Sequence, residues 1–154
     1  MQSVYNYSFD QLVEFLESIG EKKFRATQIF EWLYRFRVSS FDEMTNLSLK
    51  TIEKLKEHLF IDELETSEKE VSKDGTTKFL FKLKDDRFIE TVLMRHNYGN
   101  SICVTSQVGC NMGCAFCASG ELGKIRNLTL SEMVLQVLMV QKELDKEEKR
   151  VSNI

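Results

Sequence analysis

Near residue 64 the spacing of apolar side chains changes, and that change decides what this chain can fold into. Before it they recur every three or four residues, the period of one helix face. After it they alternate, the period of a half-buried strand. There is no proline and there are only seven glycines. No flexible linker therefore marks a boundary, and the period has to place it. It predicts an α+β chain with helices over 1–62, an antiparallel β-meander over 63–96, and a strand–loop–helix unit over 97–154.

The helical part carries its own punctuation. Ser8-Phe9-Asp10-Gln11 has the form of a capping box, in which the hydroxyl accepts from an early amide and the glutamine returns the bond. Phe9, Leu12, Val13, Phe15, Leu16 and Ile19 then form an apolar face, with Gly20 as a stop. A second helix is predicted over 25–36, with Ile29, Phe30, Leu33 and Tyr34 inward. Ser40-Phe41-Asp42-Glu43 is a second capping box. Ser48 caps a helix carrying Leu49, Ile52, Leu55 and Leu59. The short connections predict a compact antiparallel cluster.

Beyond it, residues 77–83 and 88–94 read as strands. Asp74-Gly75 forms the first turn and residues 84–87 the second. Residues 67–71 are a weaker first strand. Asn97-Tyr98-Gly99-Asn100 turns the chain into a strand over 101–105. Thr129-Leu130-Ser131-Glu132 is a third capping box, opening a helix to about residue 148 with Val134, Leu135, Val137, Leu138 and Leu144 on its apolar face.

Composition bounds the class. With 42% apolar and 29% charged residues in 154, the chain is globular rather than disordered. No apolar run is long enough for a membrane span. The start lacks the features of a secretory signal. Four cysteines without a signal predict a reducing, cytoplasmic setting and metal chemistry rather than structural disulfides. The net charge of −3 gives no overall attraction to nucleic acid, so any such contact needs a local basic patch. Lys22, Lys23, Arg25, Arg35 and Arg37 are the candidates. A solvated face is the rival reading, because Glu14, Glu17, Glu21 and Glu31 lie nearby.

Cys110, Cys114 and Cys117 place three thiols on one glycine-bearing loop, with three and two residues between them. Soft thiolate sets select zinc or iron–sulfur clusters. Three ligands leave one position open for a cofactor. A structural zinc site with Cys103 as fourth ligand is the alternative, and His96 is a further possible ligand in that reading. Cys103 reads first as a buried strand cysteine, the default for a lone thiol, and otherwise as a redox partner. Glu90 lies on one strand face with Phe88 and Val92, as either an exposed edge glutamate or a functional carboxylate.

The run from Cys103 through Gly109-Cys110-Asn111-Met112-Gly113-Cys114-Ala115-Phe116-Cys117, followed by Arg126-Asn127-Leu128-Thr129, resembles the RlmN/Cfr family of radical S-adenosylmethionine (SAM) RNA methyltransferases, its RlmN branch more closely. The resemblance implies a helical RNA-binding accessory domain, a meander, and the first βα unit of a partial (βα)6 barrel. It implies that Cys110, Cys114 and Cys117 hold a [4Fe-4S] cluster whose fourth iron binds SAM, and that Phe116 lies near the cofactor's adenine. It implies a redox role for Cys103, ending in a disulfide with a methyl-carrying cysteine elsewhere, and a proton-accepting role for Glu90. Arg126 would orient RNA or cap the turn.

The implied substrates are adenine carbon 2 of large-subunit ribosomal RNA and of transfer RNA. The implied partners are a flavodoxin-type electron donor and no membrane, with a monomeric full-length enzyme. The sequence ends where the second barrel strand of that family begins. The resemblance therefore implies an amino-terminal fragment that holds a cluster without turning over, and whose uncovered strand and helix promote self-association.

Overall fold

A computed structural model describes residues 1–112, 114–115 and 123–154. They divide into two compact units, Met1–Glu63 and Leu64–Ile154. Among the described residues no helix is long and apolar enough to cross a membrane.

In the first unit, β1 (Gln2–Ser3) precedes α1 (Phe9–Ser18), α2 (Phe24–Phe30) and α3 (Leu49–His58), and β2 (Leu59–Phe60) returns to pair with β1 in parallel. The Ser8 capping box forms with both reciprocal bonds. Ser40 and Glu43 make the second box on a short 3-10 turn, Phe41–Glu43. Ser48 accepts from the Thr51 amide at the start of α3. Leu12, Leu16, Ile29, Leu33, Met44, Ile52 and Leu55 are buried. Leu49 departs from expectation: it is 78% exposed, because nothing covers the first turn of α3.

The helix expected over 25–36 changes character halfway. After α2 it continues as a π-helical segment, Glu31–Phe36, ending at Arg37 with φ 54. Large rings at Phe30, Trp32, Tyr34 and Phe36 fall on opposite sides of a 3.6-residue period. The wider π turn is the kind of departure found at functional sites.

Gly20, at φ 75, turns the chain after α1. There Lys54 of α3 donates to Ile19 O at 2.9 Å and pairs with Glu21 at 2.9 Å. That hydrogen bond from Lys54 is the main cause holding the Glu21 carboxyl below its ordinary range; burial works against it.

The second unit is built on one five-stranded sheet. Its strands are β3 (Glu65–Val71), β4 (Thr77–Lys82), β5 (Phe88–His96) and β6 (Gly99–Cys103). A small ladder of β7 (Gln107–Val108) and β8 (Arg126–Asn127) follows. Then come α4 (Leu130–Asp145), capped by the Thr129–Glu132 box, and β9 (Val151–Asn153). The sheet order is β3-β4-β5-β6-β9. The first three pairings are antiparallel and β6 pairs with β9 in parallel. The meander and the strand feeding the cysteine loop thus share one sheet. β6 begins at Gly99, inside the predicted turn, and stops at Cys103, short of Thr105. The helix ends at Asp145, before the predicted 148.

One sheet face is closed. Phe79, Phe81, Ile89, Leu93 and Ile102 are buried, as are Leu135, Leu138 and Leu144 of α4. Among them lies Gln136, fully buried. Its Oε1 accepts from Thr91 Oγ1 and from the Thr105 N–H, both at 2.8 Å. Its Nε2 donates to Thr105 O at 2.9 Å and Glu132 O at 3.1 Å. The amide therefore satisfies the backbone just where β6 ends.

Two outcomes follow from these contacts. Gln136→Leu strands the Thr105 amide and carbonyl without partners and should cost about 3 kcal/mol, read as a lower urea midpoint at unchanged slope. Glu21 has a depressed folded-state pKa, so its contribution is full above about 4.5 and is lost as pH falls through the lowered value. Lys54→Met should therefore flatten the acid limb of stability against pH, measured by denaturation between pH 3 and pH 6.

Candidate functional site

The cysteine loop is closed at its base. Gln107 and Val108 pair with Asn127 and Arg126, and the Ile125 amide donates to Val108 O at 2.9 Å. Gly109, at φ 71, sits against the facing strand so closely that a Cβ there would overlap the Gly123 carbonyl oxygen. Only glycine allows the two sides of the neck to meet this closely. Inside the neck, the Lys124 amide donates to Asn111 Oδ1 at 3.1 Å, and the Met112 amide donates to Cys110 Sγ at 3.4 Å.

Arg126 braces this neck. Its guanidinium makes two 2.8 Å bonds to the Glu132 carboxylate, and its Nε donates to Asp85 at 2.9 Å. Glu132 is also the capping residue of α4: it accepts from the Thr129 amide at 2.8 Å. Burial pushes the Glu132 carboxyl up, but the Arg126 guanidinium and the Thr129 amide outweigh it and hold it below the usual range. The Arg126 hydrogen bond does the same for Asp85. Arg126 is thus committed to two carboxylates and serves as a brace.

Cys103, Cys110 and Cys114 are free thiols, with Cys103 and Cys114 exposed. Cys117, Phe116 and Gly113 lie outside the described residues. Two thiols on a clamped loop, one of them accepting a backbone N–H, suit a soft metal or an iron–sulfur cluster. Cys103 does not gather with Cys110 and Cys114 into a group of three potential ligands among the described residues. The four-thiol zinc site and its His96 variant find no support there, and His96 instead stacks on Tyr98, ring centroids 4.7 Å apart.

Glu90 and Cys103 come together on the second sheet face. Cys103 pairs with Val92 in the β5–β6 register. Cross-strand partners share a face, and Glu90, two residues before Val92, shares it too. Thr105 Oγ1 donates to Glu90 O at 2.6 Å, tying the chain beyond Cys103 to the strand carrying Glu90. The Glu90 carboxylate is 56% exposed, 3.5 Å from Lys78 Nζ.

The candidate basic residues differ in their partners. Lys23 pairs with Glu17 at 3.5 Å and Arg35 with Glu31 at 2.7 Å. Arg37 donates to Tyr34 O at 3.0 Å. Lys22 is exposed. Arg25 bonds neutral partners, Gln28 Oε1 at 2.7 Å and Asn46 O at 3.1 Å. Sequence reasoning missed Gln136 and Asp85. The only signal available was a glutamine inside an apolar helix stripe.

Residues 3–61 match the family described as ribosomal RNA large subunit methyltransferase N-terminal domain. A probable dual-specificity RNA methyltransferase RlmN of Bacillus velezensis is 57% identical over 152 residues, 99% of this chain and 42% of that protein. A probable RlmN of Staphylococcus aureus is 58% identical over 153 residues, with the same coverage of 99% and 42%. The crystal structure of a radical SAM methyltransferase from Sphaerobacter thermophilus matches with a TM-score of 0.90 at 37% identity, covering 100% of this chain and 46% of that one. The chain spans 42% of the length of these curated relatives, and over that span it is similar to the RlmN family of RNA methyltransferases and to a radical SAM methyltransferase.

Proposed function

We propose that this chain supplies the cluster loop and the RNA-facing accessory unit of an enzyme that methylates carbon 2 of adenine in large-subunit ribosomal RNA and in transfer RNA. The observation that carries this reading is the clamped loop with Cys110 and Cys114, combined with Glu90 and Cys103 on one sheet face. The strand–loop–helix–strand path from β6 to β9 is then the opening of a partial (βα)6 barrel, and the loop lies beyond the carboxyl end of its first strand, where such folds place chemistry.

Cys110, Cys114 and Cys117 would hold a [4Fe-4S] cluster. When bound, it supplies the electron for cleaving SAM at its one iron without a protein ligand. The chain's own residues do the rest. The Met112 amide steadies the Cys110 sulfur, and the Gly109–Gly123 contact keeps the loop's two limbs together. Phe116, outside the described residues, would lie near the cofactor's adenine on the family resemblance. Glu90 presents an exposed carboxylate as proton acceptor. Cys103 presents an exposed thiol that would attack the sulfur of the methyl-carrying cysteine of the complete enzyme once that sulfur is joined to the base through the transferred carbon; the S–S bond forms as the S–C bond breaks, and its electron pair leaves with the methylated base. Lys22, Lys23 and Arg25 meet phosphates. A cytoplasmic setting, a flavodoxin-type donor and a monomeric complete enzyme belong to the same reading.

Anaerobic reconstitution of the chain with iron and sulfide should give a brown, air-sensitive species with about four irons per chain. Cys114→Ser should lose most of that iron, while Cys103→Ser keeps it. Equal loss in both variants, or colourless zinc uptake that survives air, would sink the cluster assignment. Reversing Lys22, Lys23 and Arg25 to glutamate should weaken RNA binding and flatten its dependence on salt; an unchanged salt slope removes these side chains from the contact.

A further inference from the structure

The helical unit carries a row of rings that the chemistry above does not use. Phe24, Gln28, Trp32 and Phe36 recur at four-residue spacing along α2 and its π extension, which places them on one side of the helix. Phe24 and Phe36 are each 52% exposed, well beyond what a packed ring shows. The Trp32 and Phe36 rings lie 4.7 Å apart at 43°. The backbone holds them there: the π segment ends in left-handed Arg37, a conformation costly for a residue with a Cβ.

Each exposed phenylalanine has a guanidinium across its face. Arg25 lies 4.9 Å from the Phe24 ring centroid and Arg35 lies 5.4 Å from that of Phe36. Asn46 links the two halves of the row. Its side-chain oxygen accepts from Trp32 Nε1 at 2.6 Å, and its carbonyl accepts from Arg25 at 3.1 Å. Ring and cation therefore alternate along one continuous strip.

We propose that this strip is a stacking platform for unpaired RNA bases. The inference rests on the RNA-facing reading of the helical unit and names the surface and the form of RNA that it takes. Alternating rings and guanidinium groups suit a single strand, whose bases stack on the rings while its phosphates meet the cations. An apolar protein surface is a poorer occupant, because it would desolvate Arg25, whose hydrogen-bond partners are neutral. Arg35 is neutralised by Glu31 at 2.7 Å, so the phosphate contact falls to Arg25 and to exposed Lys22 and Lys23. The exposed rings supply the rest of the affinity.

Trp32 is the chain's single tryptophan and reports directly on the strip. The chain is titrated with a labelled single-stranded oligoadenylate, following label anisotropy and tryptophan emission together. Both should change at the same midpoint, and blunt duplex RNA should bind more weakly without quenching Trp32. Phe24→Leu and Phe36→Leu keep the apolar volume and remove the π face; each should weaken single-strand binding roughly tenfold, while Phe36→Tyr should restore it. Circular dichroism melts confirm that the variants fold.

If the leucine variants bind as tightly as the parent while charge reversal at Lys22 and Lys23 still weakens binding, the strip is overturned and the RNA-facing reading stands. If no RNA binds at all, that reading fails and the strip with it. Self-association that Phe36→Leu abolishes, with RNA affinity unchanged, makes the strip a protein contact and also overturns it.

Discussion

The neck that joins Gln107–Val108 to Arg126–Asn127 sets the base of the cysteine loop. Part of the chain entropy of closing that loop is already spent when the two-residue ladder forms and Gly109 meets Gly123. Arg126 extends the clamp in two directions. Through Glu132 it fixes the first turn of α4, and through Asp85 it fixes the turn between β4 and β5. One guanidinium thus positions the loop against both the helix and the sheet. Because it is bidentate on one carboxylate, a lysine could not hold the same geometry.

The same end of the sheet is organised from below by Gln136. Its amide meets Thr91 on the packed face and the backbone of Thr105 where β6 has ended. Thr105 in turn bonds to the carbonyl of Glu90. The packed face and the face bearing Glu90 and Cys103 are therefore coupled through backbone, not through the reactive side chains themselves. That leaves the carboxylate and the thiol exposed while the backbone that carries them is held by hydrogen bonds.

What could be read from sequence follows from how local each interaction is. The capping boxes at Ser8, Ser40 and Thr129 involve residues three apart, and all three form. Strand alternation placed Glu90 with Phe88 and Val92 because a period of two has no ambiguity once a strand is recognised. The partners of Arg126 and Gln136 were not legible. Asp85 is 41 residues from Arg126, and Thr91 is 45 from Gln136; no periodicity connects them. Among the cations, sequence position grouped Lys22, Lys23 and Arg25 at the first connection and Arg35 and Arg37 at the far end of the second helix, where Arg35 pairs with Glu31 one turn away. Of these, Arg25 keeps only neutral hydrogen-bond partners. The π segment was hidden because Ile29, Phe30, Leu33 and Tyr34 recur at ordinary helical spacing, while Trp32 and Phe36 on the other side carry no periodic signal of a wider turn.

The charge balance explains why rings should matter more than cations on the helical unit. At a net charge of −3, the chain as a whole does not draw in a polyanion, and long-range steering contributes little. On the proposed RNA-facing reading, affinity would then come from local contacts, the few cations beside the rings and the rings themselves. Stacking is such a contact, and it is tolerant of base identity. A surface built this way selects for bases that are already unpaired, because paired bases keep their faces covered. On the proposed chemistry the reacting base must be unpaired as well, so the two units would make the same physical demand on an RNA, one through aromatic faces and the other at the sheet face that carries Cys103 and Glu90.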